Sequence, residues 1–387
     1  VFDRRLPSFV FIAIAVLGLS AIAASPASAG SSATQRADRA LDQQLKRLVS
    51  MRGGPPGAIA VVQRGDQRRT FNRGVADLSN RRRIDIGDRW RIASVAKAFS
   101  GAVALRLVAT GRMSLSDTIG QRLPWLPAAW HPVTLAQLLQ HTAGTPEYIT
   151  TDGFREDITR EPLAPVTPRD VISWVADKPL DFPPGSRYHY SDTDNIVIGL
   201  MVEAATGMSY ELAMSQTVLD PLKLRRTSMP SGYRMPAPFV RGYDLEGRRY
   251  EDVSEVLSPT GAWASGGIVS SPLDLVNFIR AYAGGRLFDG ATRRAQLQFI
   301  PGRSFPSGPG TTEAGLGIFR YRTRCGTVYG HTGNYPGYTA FVAGTADGRR
   351  AATILVNEQL SDQAGPPAAF RALHRAFELA TCAALAR

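Results

Sequence analysis

Ser94-Val95-Ala96-Lys97 opens a stretch of helical spacing, and these residue types at i,i+3 carry a definite chemistry. On a helix the two side chains are neighbours, about 5–6 Å apart at Cβ. A serine hydroxyl is a poor nucleophile until a base takes its proton. A desolvated lysine can be that base because burial lowers its pKa, whereas arginine stays protonated. The chain has 45 Lys+Arg, of which only Lys46, Lys97, Lys178 and Lys223 are lysine, so a lysine at this spot is conspicuous. Serine at a helix start also places its backbone N–H among the unpaired donors of the first turn. Those donors suit the developing oxyanion of acyl transfer. The plain alternative makes Ser94 an N-cap and Lys97 a solvated helix residue.

Two further groups fit the same chemistry. Tyr190-Ser191-Asp192 follows Pro183-Pro184-Gly185 and precedes a helical pattern. A tyrosine there, near a lysine, could relay the nucleophile's proton to a leaving group; otherwise it is a packing aromatic. His331-Thr332-Gly333 ends a strand pattern, where glycine lets a substrate backbone approach the strand edge. His141-Thr142-Ala143-Gly144 resembles it superficially, but it sits at a helix end and reads as structural.

The elements that must position these groups are legible from periodicity. Helical spacing covers Ala33–Ser50, Val95–Thr110, Thr134–Gln140, Pro168–Ala176, Asn195–Thr206, Tyr210–Val218 and Pro367–Ala384. Strand patterns cover Gly57–Gln63, Phe71–Ala76, Gly326–His331, Tyr338–Gly344 and Ala351–Val356, with turns at Arg64-Gly65-Asp66 and Asp347-Gly348. This order predicts an α/β (α+β) fold: an antiparallel sheet built from both chain ends and flanked by helices, with a mostly helical inserted lobe. The sheet lobe spans about 34–87 and 260–385, the helical lobe about 88–259, and a cleft between them is the default site.

Length and composition set the frame. The chain has 387 residues, 44% hydrophobic and 20% charged, with a net charge of +12. That is an ordinary globular composition, long enough for a large two-lobed unit. Basic residues are spread along the chain, so no nucleic-acid partner is expected. No phosphate loop, zinc pair or nucleophile elbow occurs, and the five histidines do not cluster at metal-ligand spacing. No cofactor and no metal are expected.

Residues 1–29 read as an export signal: Arg4 and Arg5, an apolar run from Phe9 to Ala24, and Ala27-Ser28-Ala29 as a cleavage site. Export implies a secreted, extracytoplasmic protein of residues 30–387 without a stable membrane anchor. Export also permits a disulfide. Cys325 and Cys382 are the sole candidates, with two buried free thiols as the alternative.

The order Ser94-x-x-Lys97, Tyr190-Ser191-Asp192, His331-Thr332-Gly333 resembles the serine β-lactamase and penicillin-binding-protein superfamily, over roughly residues 34–385. The class C β-lactamase-like branch is nearest. Leu138 to Gly144, Phe182 to Gly185, Ala264 to Ser271 and Val328 to Tyr338 extend the likeness, the last toward secreted D-alanyl-D-alanine carboxypeptidases with a His-Thr-Gly triad. The resemblance implies that fold and a disulfide from before the triad strand to the last helix. It implies Ser94 as the acylated residue, Lys97 as its proton acceptor and Tyr190 as proton shuttle. His331 would hydrogen-bond the tyrosine region, Thr332 would contact the substrate's terminal carboxylate, Gly333 would lie along the substrate, and backbone N–H groups of Ser94 and Asn334 would form the oxyanion hole. Arg320 or Arg322, from charge and position, would bind a substrate carboxylate. The implied activity is D-alanyl-D-alanine carboxypeptidase on cell-wall peptides, by a monomer, with β-lactams as inhibitors or substrates. A class C-like β-lactamase, an esterase, or a non-catalytic penicillin- or peptidoglycan-binding protein are the alternatives. Asp192 departs from the pattern: the family has Asn there, which donates to the acyl substrate, while an ionised Asp only accepts. Asp192 must then meet a donor such as an amine or a protein group, or Asn195 or Thr193 replaces the missing one.

Overall fold

The two ends of the chain meet in one sheet because both supply strands whose residues alternate between two buried faces. A computed structural model describes residues 26–386; the apolar run and basic start read as an export signal lie outside the described residues. Strands β1 (Gly57–Arg64) and β2 (Gln67–Gly74) form a hairpin closed by Gly65 at φ +54°. From the other end come β3 (Ile300–Pro301), β4 (Thr311–Ala314), β5 (Phe319–Thr323), β6 (Gly326–Tyr335), β7 (Tyr338–Gly344) and β8 (Arg350–Val356). All pair antiparallel in the order β2-β1-β8-β7-β6-β5-β4-β3.

Ala58, Ala60 and Val62 of β1 face one side of this sheet; Ile59 and Val61 face the other, as period-2 side-chain alternation requires. The first side is covered by α1 (Pro26–Ser50), through Leu41, Leu45 and Leu48, and by the C-terminal helix Pro367–Leu385, whose Phe377 stacks on Phe341 of β7 at 4.9 Å. Each such side chain, fully buried, stabilises the fold by about 1.5–3 kcal/mol. The second side carries α2 (Ala96–Ala109) and the helix Pro272–Ala283, joined by Phe99 stacked on Phe278 at 3.7 Å. Beyond α2 lie α3 (Asp152–Arg160) and α4 (Asp192–Thr206), with short helices and loops between them. The helices Pro272–Ala283 and Pro367–Leu385 are α5 and α6.

Several expected boundaries move, with consequences for the site. The helix after Ser94 splits into a 3-10 turn, Ala93–Val95, and then α2. The helix expected from Asn195 begins at Asp192, which sets Asp192 in its first turn. The strand expected to stop at His331 runs to Tyr335, so the His-Thr-Gly triad is inside β6. Thr134 caps Leu135–Leu139 through a capping box with Gln137. The first helix starts at Pro26 rather than Ala33. The second strand is Gln67–Gly74 rather than Phe71–Ala76, because its partner β1 pairs it from the turn onward.

Candidate active site

Ser94 is delivered by a strained turn. Trp90 and Arg91 pair with Ser270 and Val269, and the Ile92 N–H donates to the Ile268 carbonyl. The chain then reverses through Ala93, whose φ of +49° is unfavourable for a residue with a Cβ. β6 closes over this turn. A Cβ on Gly333 would lie 2.2 Å from the Ile92 carbonyl oxygen and 3.1 Å from the Ser94 nitrogen, so only glycine permits the approach. β5 pairs with β6 only as far as Gly330, which leaves the edge of β6 from His331 onward open next to Ser94.

Lys97 is 1% exposed and its Nζ is the hub of the site. It lies 3.0 Å from Ser94 Oγ, 2.5 Å from Asp192 Oδ1 and 3.0 Å from the Ser265 carbonyl oxygen. It also sits 5.0 Å above the Tyr190 ring. An ammonium donates all three bonds; a neutral amine keeps two N–H for Asp192 and Ser265 and turns its lone pair to the serine. The same geometry serves both states. The donor that Asp192 requires is therefore Lys97 itself.

Tyr190 is buried with its hydroxyl lacking a well-formed hydrogen bond to another described residue. Burial, with the Asp192 charge adding to it, holds this phenol well above its ordinary pKa, only tempered by the Ser94 side chain. It stays protonated and available as a proton donor. Behind it, His141 packs its ring 4.6 Å from the tyrosine ring and its Nδ1 lies 2.9 Å from Asp194 Oδ2. Thr145 donates to the other Asp194 oxygen at 2.5 Å. Burial lowers the His141 pKa to about 3 and raises that of Asp194. The expected structural histidine thus packs behind Tyr190.

Glu147 was not singled out from sequence. Its Oε2 accepts from the Asp192 backbone N–H at 2.6 Å, and burial together with the Asp192 charge raises its pKa to about 8. Nothing local marks it, since 45 residues separate the partners. Ser265 appeared in the sequence only within Ala264 to Ser271; the fold turns its carbonyl to Lys97.

The remaining expected site residues divide. Asn334 lines the cavity at Ser94; its side chain donates to Thr339 Oγ1 and the Leu360 carbonyl, leaving its backbone as the part that could serve an oxyanion. His331 is buried, donates from Nδ1 to the Thr332 carbonyl oxygen at 2.5 Å, and sets its ring tilted, 6.3 Å from that of Tyr190. Its pKa is lowered to about 3, chiefly by burial. Thr332 does not reach the substrate side: it points to the opposite face of β6 and donates to the Pro306 carbonyl at 2.6 Å. Arg320 does not enter the cavity either. It is bound to Glu313 at 2.5 and 2.7 Å, with Arg322 on the same carboxylate, because β4 pairs Glu313 directly opposite Arg320. Asn195 and Thr193 do not replace the missing donor: both are buried, donating to Ser100 Oγ and the Pro146 carbonyl.

Ser94, Tyr190 and Asp192 open into a cavity of about 400 Å³. Tyr148, Phe154, Trp174 and Tyr335 supply its aromatic walls, the first three in mutual contact at 5.5–6.2 Å between ring centroids. Its charged lining residues, among those described, are Asp157, Glu161 and Asp192. Cys325 and Cys382 form a disulfide joining the turn before β6 to α6, which excludes the free-thiol alternative in this structure. Among the described residues no group of three or more His, Cys, Asp or Glu is placed to hold a metal ion.

Comparison with known proteins agrees with this geometry. The family model described as Beta-lactamase matches residues 37–377. The chain is similar to penicillin-binding protein 4* of Bacillus subtilis, 23% identical over 78% of this chain and 68% of that protein. It is also similar to Protein flp of Staphylococcus aureus, 26% identical over 53% of this chain; the match spans 42% of that protein's length. Among solved structures, a D-stereospecific amidohydrolase from Streptomyces sp. superposes with a TM-score of 0.73 at 28% identity, covering 86% of this chain and 97% of that one.

Proposed function

From the premise that the chain belongs to the Beta-lactamase family, we propose that it is a serine acyl hydrolase working through an acyl-enzyme on Ser94. The observation that carries this reading is the position of Lys97 Nζ, 3.0 Å from the serine oxygen and held by Asp192 and the Ser265 carbonyl. The Ser94 proton passes to Lys97 as Oγ bonds to the substrate carbonyl carbon. Collapse of the tetrahedral adduct breaks the bond to the leaving group, which takes its proton from Tyr190; Tyr190 is replenished from Lys97. Water then adds to the acyl carbon, its proton returns to Ser94 Oγ through the same groups, and the carboxylic acid leaves. Backbone N–H groups of Ser94 and Asn334 are assigned to the oxyanion.

The scissile bond is best read as an amide or peptide whose leaving group carries no free carboxylate. Arg320 and Arg322 are committed to Glu313, and no Lys or Arg is among the described residues lining the cavity. The likeness to a D-stereospecific amidohydrolase supports amide substrates. The second reading is D-alanyl-D-alanine carboxypeptidase on cell-wall peptides, favoured by the open edge of β6 and by the likeness to penicillin-binding protein 4*. We place the activity outside the cytoplasm, a reading supported by the disulfide. A substrate panel ranks these: amide hydrolysis exceeding D-alanine release from a D-Ala-D-Ala peptide is expected, and the reverse order selects the carboxypeptidase.

A further inference from the structure

The cavity at Ser94 contains one position where the chemistry of the substrate is dictated by what the protein withholds. Next to the nucleophile stands Asp192, with Oδ1 on Lys97, its backbone N–H on Glu147, and no hydrogen-bond partner for Oδ2 among the described residues. An ionised carboxylate accepts only. The two neighbours that could have donated in its place, Thr193 and Asn195, are buried and already bonded elsewhere. Gln359, which also lines the cavity, gives one of its two amide N–H groups to Asn334 Oδ1 and is not hydrogen-bonded to Asp192. An acyl donor whose amine is blocked by an acyl group would aim a carbonyl oxygen at a carboxylate oxygen, leaving both unpaired, which is a costly mismatch in a partly desolvated site.

The rest of the cavity has the same preference. Its charged lining, among the described residues, is acidic. Asp157 and Glu161 share Arg160 outside the cavity, at 3.2 and 3.8 Å, and so Asp192 is the acid at the reacting end. The aromatic walls, Tyr148, Phe154 and Trp174, offer a pocket whose size suits a bulky apolar group.

We infer that the acyl donor is an amino acid derivative with a free, charged α-amine that pairs with Asp192, and with a large apolar side chain that fills the Tyr148–Phe154–Trp174 pocket. This rests on the acyl-hydrolase reading and specifies its substrate.

The test compares kcat/KM for phenylalanine p-nitroanilide with its N-acetyl form, in both enantiomers, and for alanine p-nitroanilide. Wild type prefers the free amine by about tenfold or more. Asp192→Asn shrinks or inverts that ratio, because an amide donates to the acetyl carbonyl. Phe154→Ala, remote from the reacting atoms, lowers the preference for phenylalanine over alanine while keeping the preference for a free amine. Equal rates on blocked and free substrates, or an unchanged ratio in Asp192→Asn, would overturn the inference. p-Nitrophenyl acetate, which lacks both recognition groups, separates the two levels. Acylation of Ser94 by the ester without any amine preference sinks this inference alone. No acylation by any of these compounds sinks the acyl-hydrolase reading and this inference with it.

Discussion

At the scale of residues, Lys97 and Asp192 work as a pair. Nζ has three partners: Ser94 Oγ, Asp192 Oδ1 and the Ser265 carbonyl oxygen. In the proposed mechanism Lys97 takes the Ser94 proton, while Asp192 and the Ser265 carbonyl hold its amine in place. Arginine at position 97 keeps its charge at any working pH. Lys97→Arg should then lower the acylation rate by about 10²–10⁴-fold. Stopped-flow release of p-nitrophenol checks this; a variant within twofold of wild type would remove the lysine from the mechanism. Ser94, Lys97, Tyr190 and Asp192 were legible in the sequence because each lies in a short motif whose residue types suit acyl transfer. Glu147, His141 and Asp194 were not legible as partners, since their contacts span 45 to 53 residues and exist only once the fold is made. Arg320 was misjudged for the same reason: its carboxylate lies on the adjacent strand, visible only through the register of β4 with β5.

At the scale of elements, the site depends on β6 pressing against the turn that carries Ser94. Gly333 is the contact point. Gly333→Ala forces its new methyl group against the Ile92 carbonyl, so the strand or the turn must shift. A cost of about 1–3 kcal/mol in stability is expected from the overpacking. The displacement of Ser94 from its N–H donors should cost more, about 10²-fold in acylation. Urea denaturation and single-turnover kinetics on the same variant separate the two; an active Gly333→Ala would show that the strand does not position the nucleophile. The long helices and the buried strands β1, β7 and β8 were read from the sequence pattern within three residues, except for the start of α1, which lies seven residues earlier than expected. The polar α3 was missed because its apolar face is only Phe154 and Ile158, both half-buried, too short a stripe to mark a helix from sequence. α5 was missed despite an open signal, Ser271 capping with Pro272 at the first position and Asp274 in the first turn. Strands β3 and β4 are short and partly exposed, and they are defined by their neighbours, not by their own pattern.

At the scale of the whole molecule, burying ionisable groups on both faces of the site ties stability to pH. His141 and His331 are lowered from 6.5 to about 3, so the unfolded chain binds their protons first and stability falls as pH drops below about 6.5 toward 3. Glu147 and Glu358 are raised from 4.5 to about 8, so the folded state holds protons that the unfolded chain releases. Their effect has the opposite sign: stability falls as pH rises from about 4.5 to 8 and levels off beyond. Between 4.5 and 6.5 the two effects oppose each other; above 6.5 the histidine effect is gone, and Asp194, also raised by burial, acts in the same direction as the glutamates. The urea midpoint should therefore decline from pH 6.5 to 8, and Glu147→Gln should make that decline shallower. A wild-type midpoint that rises over this range would contradict the assignment. The two-ended sheet was legible because Gly57–Gln63 and the last three strand patterns share one character. The cavity was not, since its walls come from α3, the Tyr148 loop and β6, which only the folded chain brings together.

The central claim, that Ser94 is acylated with Lys97 as base, is tested most directly by incubating the protein with a fluorescent penicillin and locating the adduct by intact and peptide mass. One acyl adduct on Ser94 in wild type, absent from Ser94→Ala and strongly slowed in Lys97→Arg, is the predicted result. Equal labelling of wild type and Ser94→Ala would contradict it.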